Sequence, residues 1–348
     1  MLVTKQPILR RFWYPIVPSE KLEASPFPFT LLGENIVLWR DTKGNANCVL
    51  DRCCHRSAKL SKGWVKDDAI VCGYHGWEYD GTGQCTRIPQ MSRPMPGAKT
   101  PGFKVAERYG YVWVTLSEEP LLDVPDLSET DDPKNRIVPE FYEDWDCAGL
   151  RLMENSFDNA HFSFVHRKSF GDEGHPEPAS LEIEDTEQGF RMVTEVPVRN
   201  PEIQKKNLGM EDDWTVRHMV SDWYMPFGRA LRITYPNGLF HMIVTIATPI
   251  DDDSSKVCQF VVRNDKEEDA PADGIVEFDR LVTEEDKEIL ESTDGDVPLS
   301  TNTREEISMP SDRPGMLMRQ KLKEMLDKHG ETEARRIETS MNELRASA

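Results

Sequence analysis

The sequence has no run of about 18 uncharged apolar residues, the length a membrane-spanning helix needs. It has no surplus of positive charge either: 42 Lys and Arg against 62 Asp and Glu give a formal net charge of −20. Nucleic acid and anionic lipid surfaces attract basic proteins, so neither is expected as a main partner, which leaves room for a protein that docks through a local basic patch. The stretch MLVTKQPILRRFWYPIV lacks an apolar segment followed by a small-residue cleavage site, so export is not expected. Cysteines are few, odd in number and scattered, at 48, 53, 54, 72, 85, 147 and 258. That fits a reducing compartment, with the cytoplasm as the expected location, and not a disulfide framework. What is present is an ordinary globular mix, 38% hydrophobic and 30% charged, over 348 residues, enough for two domains.

Residues 28–116 carry short strand-like runs, FTLLGENIVLWRD, AIVCGYHGWEYD and YGYVWVTL, with turn signals at Gly33-Glu34-Asn35 and Asp80-Gly81-Thr82-Gly83. They predict a small all-β unit. The acidic, proline-rich text from about 117 to 140 reads as a linker. A helix-like stretch at 150–166 follows, then strand-like FRMVTEVPV, RALRITYP and FHMIVTIATPI. The pattern turns helical in EFDRLVTEEDKEILES and GMLMRQKLKEMLDKHG, and NDKEEDAPADG at 264–274 reads as a solvated loop.

The first cluster of chemistry lies in CCHRSAKLSKGWVKDDAIVCGYHGW, residues 53–77. Cys53 and His55 are separated by one residue, and Cys72 and His75 by two. Three readings compete: unrelated residues in turns, structural zinc, and a Rieske [2Fe–2S] centre. Zinc sites usually pair Cys with Cys and His with His, whereas here each turn offers one of each. A Rieske centre holds one iron by two thiolates and the other by two imidazoles, which suits C-x-H…C-x₂-H. Gly63, Gly73 and Gly76 allow close backbone approach around it. Of the adjacent pair, only Cys53 gives the required spacing, so Cys54 is set aside.

The second cluster is MENSFDNAHFSFVH, residues 153–166. Asn155, Asp158 and His161 recur every three residues and would form one drifting stripe on a helix. A solvated face is the plain alternative, but the intervening residues are largely apolar, which predicts burial, and buried Asp and His need partners. His166 lies about 140° from His161 around an ideal helix, so both meet one metal only if the helix bulges, kinks or ends between them. Two His and a carboxylate make the facial triad of non-haem Fe(II), and that carboxylate must come from elsewhere, because Asp158 is too close to His161.

With RRFWYPIV, DRCCHRSAKLSKGWV, CGYHGWEYDGTGQC, ERYGYVWV, the 155–166 stretch, YMPFG and TEEDKEILES in order, the chain resembles the catalytic α subunit of Rieske non-haem iron oxygenases over nearly its whole length. It resembles most the short branch of methylxanthine N-demethylases, vanillate and dicamba O-demethylases and toluenesulfonate methyl-monooxygenase. The resemblance implies an α+β protein: an N-terminal all-β Rieske [2Fe–2S] domain at 1–125 and a C-terminal helix-grip (START-like) catalytic domain at 126–348. It implies that Cys53, His55, Cys72 and His75 hold the cluster. His161, His166 and Asp286 would bind the mononuclear Fe(II), with Glu285 the alternative carboxylate. Asp158 would be the bridge that carries electrons between sites, and Asn155 is placed with it among the catalytic residues.

The same resemblance implies O2 as co-substrate, electrons from NAD(P)H through a separate reductase with or without a ferredoxin, and a head-to-tail homotrimer. Monooxygenation of a small aromatic or heterocyclic compound is expected, by hydroxylation or N- or O-demethylation. The alternatives are ring dihydroxylation and a non-catalytic Rieske electron carrier or sensor. Met219, Trp223, Met225, Phe227, Phe240 and Met242 are expected to line the substrate pocket. Histidines 175, 218, 241 and 329 are expected in surface or core positions. Gly73 stands where the family usually has proline, and FGDEGHPEP at 170–178 has no counterpart.

Overall fold

A computed structural model gives the three-dimensional structure and describes residues 1–301 and 305–336. Two compact units emerge. One comprises Val3–Val124 with Thr248–Asp251; the other comprises Met1–Leu2, Pro125–Ala247 and the chain from Asp252 on.

The first unit is all-β, as its short alternating runs predict. Its strands are β1 (Tyr14–Pro18), β2 (Phe27–Leu31), β3 (Glu34–Arg40), β4 (Ala46–Leu50), β5 (Trp64–Lys66), β6 (Ala69–Val71), β7 (Glu78–Tyr79), β8 (Cys85–Arg87), β9 (Lys104–Arg108) and β10 (Tyr111–Thr115). They make three sheets in the orders β1-β10-β9, β2-β3-β4 and β5-β6-β7-β8. Trp39, Val49, Leu60, Ile70 and Tyr79 pack into one core, and that core includes Cys53 and Cys72. Cys54, the neighbour that the spacing set aside, is exposed.

The second unit contains β11 (Arg136–Trp145), α1 (Gly149–Ser156), α2 (Phe162–Val165), β12 (Leu181–Thr186), β13 (Gly189–Arg199), α3 (Glu202–Leu208), β14 (Trp214–Tyr224), β15 (Gly228–Thr234), β16 (Phe240–Pro249), β17 (Ser255–Arg263), α4 (Ala272–Leu290) and α5 (Arg313–Lys328). Seven strands form one antiparallel sheet, β11-β17-β16-β15-β14-β13-β12. Helix α4 packs on it: Phe278 joins Val198, Met219, Leu231 and Ile233 in one cluster, and Ile275 joins Val138 and Val261 in another. This is the helix-grip arrangement expected of the second region.

Three sequence expectations are corrected here. The linker ends before 136: Arg136–Val138 and Pro139 already pair with β17, and Pro139 sits beside a register shift on an edge strand, where a missing N–H costs little. The helical stretch 150–166 is not one helix, since α1 stops at Ser156 and α2 is a single turn beginning after His161. The loop at 264–274 is shorter than its composition suggests, because α4 begins at Ala272 behind Pro271, a residue suited to a helix start. β14 escaped notice because Arg217, His218 and Asp222 interrupt its apolar pattern.

Around Cys72 the chain leaves no room for side chains. A Cβ on Gly63 would fall 1.7 Å from the Val71 carbonyl oxygen and 3.0 Å from the Gly73 nitrogen, and one on Gly73 would fall 2.8 Å from the Lys62 carbonyl oxygen. Glycine therefore stands at 73 because backbone lies against backbone. Gly63→Ala is expected to destabilise the first unit by about 1–3 kcal/mol through forced backbone movement and to lower cluster occupancy. Thermal unfolding and visible absorption of the purified holoprotein check this; unchanged values on both would contradict it.

Candidate active site

The two loops of the first unit share one backbone design. The Cys53 N–H donates to the Ala58 carbonyl and the Ser57 N–H donates back to the Cys53 carbonyl. Nineteen residues on, the Cys72 N–H donates to the Trp77 carbonyl and the Gly76 N–H to the Cys72 carbonyl. Ser57 (φ 61°) and Gly76 (φ 73°) take the same left-handed turn. Each loop thus presents its cysteine at the first position and its histidine two or three residues later.

The side chains converge accordingly. The His55 and His75 rings lie 4.7 Å apart, and His55 stacks on Trp77 at 4.7 Å with the planes nearly parallel. Both thiols are buried, and His55 Nδ1 is buried with no hydrogen-bond partner. A buried orphan nitrogen beside two buried thiols is the donor set a [2Fe–2S] group with mixed ligation requires. Tyr79 Oη lies 3.1 Å from Cys53 Sγ and 3.3 Å from Cys54 Sγ. Burial, then the two sulfurs, push its pKa up, so Tyr79 keeps its proton and donates to sulfur.

In the second unit the break between α1 and α2 decides the site. Asp158 Oδ1 accepts the Ala160 N–H at 2.7 Å, turning the chain so that His161 and His166 flank a single helical turn. Their Nε2 atoms come within 3.2 Å of each other, and Asp286 Oδ1 lies 3.5 Å from the first and 3.4 Å from the second. A point equidistant from the three atoms is about 2 Å from each, the length of a metal–nitrogen or metal–oxygen bond. The set of two imidazoles and one carboxylate suits iron(II) with open positions.

Each member is held from behind. Glu285 Oε2 lies 3.1 Å from His166 Nδ1 and accepts the Ser169 hydroxyl at 2.7 Å, while Glu285 Oε1 accepts the Lys168 N–H at 3.2 Å. Asn155 Nδ2 donates to Asp286 Oδ1 at 3.0 Å. Asp158 Oδ2 lies 3.3 Å from His161 Nδ1. Burial works to raise the Asp158 carboxyl, but the His161 imidazole and the backbone N–H groups of Ala160 and His161 outweigh it and hold the carboxyl below its usual value. Burial pulls the His166 imidazole down, which keeps it neutral. So Glu285 and Asp286, alternatives in the sequence, occupy different places: Asp286 faces the two Nε2 atoms and Glu285 grips the far side of one ring.

Beside these groups lies a cavity of about 120 Å³ with apolar walls from Phe162, Phe170, Leu231, Ile233, Ile243, Phe278 and Val282. Of the six residues expected there, Met219 lines it. Phe240 and Met242 stand one residue out of phase, since β16 turns His241 and Ile243 to the cavity and side chains alternate faces along a strand. Trp223 is buried against Phe190, with Nε1 donating to the Pro226 carbonyl, Met225 precedes the cis Pro226, and Phe227 packs on Gly149. His241 is buried as expected but also lines the cavity, with Arg217, Arg229 and Asp279. Those three polar residues were missed, and the signal available was a charged residue at an inward-facing strand or helix position.

Both regions of the chain match known proteins. Residues 12–107 match the Rieske [2Fe-2S] domain and residues 145–328 the vanillate O-demethylase oxygenase C-terminal domain. Methylxanthine N1-demethylase NdmA of Pseudomonas putida is 30% identical over 335 residues, spanning 93% of this chain and 91% of that protein. Dicamba O-demethylase, oxygenase component, of Stenotrophomonas maltophilia is 34% identical over 163 residues, 46% of this chain and 48% of that one. A solved structure of an NdmA mutant with theobromine superposes with a TM-score of 0.80 at 28% identity, covering 93% of this chain and 92% of that one. Dicamba monooxygenase bound to dicamba gives 0.80 at 22% identity, covering 93% and 99%, a likeness of fold.

Two variants test the supporting groups. Glu285→Gln is expected to weaken iron retention about 10-fold or more, because the charge that orients His166 is lost, while the visible spectrum of the cluster stays unchanged. Iron analysis after dialysis against a chelator checks it. Tyr79→Phe is expected to lower the midpoint potential of the cluster, since a hydrogen bond to sulfur favours the reduced form; protein-film voltammetry reads the shift.

Proposed function

The chain belongs to the Rieske non-haem iron oxygenases, and on that basis we propose that it oxidatively removes a methyl group from the nitrogen or oxygen of a small aromatic or heterocyclic compound. It is an oxygenase component that uses O2 and electrons from a separate reductase. The observation that carries the reading is the meeting of His161 Nε2, His166 Nε2 and Asp286 Oδ1 within 3.5 Å beside a cavity that mixes apolar walls with a few buried polar groups. An electron carrier or sensor has no use for such a triad. Relatives that act on N-methyl and on O-methyl groups both match, which supports demethylation as the shared chemistry.

The proposed roles follow from the contacts. Cys53, His55, Cys72 and His75 would hold the cluster in the 1–125 region, and His161, His166 and Asp286 the Fe(II) in the 126–348 region, of which the residues beyond 336 lie outside the described chain. When bound, the two centres supply single electrons and activation of O2 for attack on a C–H bond. Hydroxylation of an N- or O-methyl carbon gives a hemiaminal or hemiacetal that collapses to formaldehyde and the demethylated product. Tyr79 donates to the Cys53 sulfur, Glu285 fixes the tautomer and tilt of His166, and Asn155 holds one oxygen of Asp286 in place. Leu231, Ile233, Ile243 and Val282 keep water from the substrate.

Asp158, bonded to His161 and partly exposed, is the proposed bridge toward the cluster of a neighbouring subunit in a head-to-tail homotrimer. Exposed Arg52, Arg56, Lys59 and Lys62 on and beside the first cluster loop would give an acidic reductase partner a local basic patch on a chain of net charge −20. The cytoplasm is the proposed location, in keeping with seven free cysteines and with no described helix long and apolar enough to cross a membrane.

Metal and sulfide analysis with EPR on anaerobically purified protein tests the assignment. One [2Fe–2S] cluster and one further iron per chain are expected. Zinc without labile sulfide would overturn it. His161→Ala is expected to abolish product formation while leaving the cluster spectrum intact, and turnover by that variant would refute the triad.

A further inference from the structure

Strand β14 carries a contradiction of its own pattern. Its 11-residue register against β13, from Gly189↔Tyr224 to Arg199↔Trp214, fixes which side chains face inward. Thr215, Arg217 and Met219 turn in, while Val216 is 57% exposed and Trp214 48% exposed. A sheet built for stability alone would reverse Val216 and Arg217, because an inward guanidinium must lose its water. Such violations of local logic mark functional positions.

Arg217 is 7% exposed and lines the cavity, yet its Nε and Nη2 have no hydrogen-bond partner. Among the described residues no carboxylate forms an ion pair with it. These two donors form one edge of the guanidinium. The same edge of Arg191 grips Asp222 in this chain, Nε to Oδ1 at 2.7 Å and Nη2 to Oδ2 at 2.9 Å. In Arg217 that carboxylate-shaped fork is made and left open.

The surroundings favour a negative occupant. Arg229 also lines the cavity with Nε unpartnered, and although burial pulls its pKa down to about 10 it stays charged at neutral pH. His241 Nε2 is a fourth buried atom without a partner. Two acids also line the cavity: Asp286, turned to the proposed iron ligands, and Asp279, which feels the Arg217 charge but is buried beside Glu140, where burial pushes both carboxyls up, so neither closes the Arg217 fork. Arg263 is paired with Asp265 and lies 3.3 Å from His241 Nδ1, adding positive charge on that side. The position is also right for a reacting molecule. The Arg217 guanidinium carbon lies 5.6 Å from the centre of the Phe170 ring, which in turn packs on the His166 ring at 4.6 Å and on the Phe162 ring at 5.3 Å. One phenyl ring thus spans the interval from the open fork to the proposed iron ligand.

Resting on the oxygenase reading above, we propose that the substrate is a single-ring aromatic carboxylate and that Arg217 binds its carboxylate through Nε and Nη2. The cavity volume, about 120 Å³, is close to the ~150 Å³ that accepts one benzene-sized ring. A neutral heterocycle would leave the fork unpaired.

Calorimetry on the holoprotein with 3- and 4-methoxybenzoate, the matching methoxybenzamides and caffeine tests the assignment. At least one benzoate is expected to bind 10-fold or more tighter than its isosteric amide and than caffeine. In Arg217→Gln the benzoate affinity falls about 100-fold while that of the amide is unchanged, and Arg217→Lys retains part of the preference. Arg217→Met is expected to unfold at the same or a higher temperature than the unaltered protein without ligand, since an unpaired buried cation is removed. A purely structural arginine would give the opposite shift. Equal binding of benzoate and amide, no binding of any benzoate, or an unchanged preference in Arg217→Gln would overturn the proposal. The oxygenase reading is measured separately, by the EPR signal of the nitric oxide adduct and by reductase-dependent O2 uptake, so either can fail alone.

Discussion

Two successive carboxylates on one helix address the same imidazole from its two ends. Glu285 lies 3.1 Å from His166 Nδ1, and Asp286 lies 3.4 Å from His166 Nε2. Neighbours on a helix point about 100° apart, and the single turn of α2 places the ring where both reach it. The arrangement makes α4 the element on which the second unit depends. Phe278 and Ile275 seat that helix on the sheet, and burial of such side chains, roughly 1.5–3 kcal/mol each, fixes the height at which Asp286 meets the two histidines.

The cavity obeys the same constraint from the other side. Residues 279, 282 and 286 share one face of α4, a spacing of three and four, and the odd-numbered residues of β14, β15 and β16 face them. Apolar walls and buried charged groups therefore sit mostly on strands and helices, with Phe170 on the turn after α2. Preorganisation of this kind keeps donors at fixed places where water is excluded, which is what a site that handles O2 and a small substrate together requires.

Much of this was legible in the sequence. The C-x-H and C-x₂-H pairs point to the cluster because loop ligands are read by spacing, and in the structure the two histidine rings lie 4.7 Å apart. His161 and His166 were legible as a pair that an unbroken helix would separate. Asp286, remote in sequence, entered through resemblance, and no spacing rule could have paired it with residues more than a hundred positions away. The pocket was read poorly for a physical reason. Met and aromatic side chains mark burial, not direction, and along β16 a shift of one residue exchanges core for cavity. Arg217 and Asp279 went unseen because buried charge defies the rule by which cores are found.

The matched backbone of the two cysteine loops carries an evolutionary consequence. Each loop is a short self-closing turn whose shape comes from two main-chain hydrogen bonds and one left-handed residue, with little dependence on side chains farther away. Such a unit can hold its shape in different settings, because its own main chain closes it. A fold built on such units tolerates extensive sequence change, in keeping with a relative only 28% identical that superposes at a TM-score of 0.80.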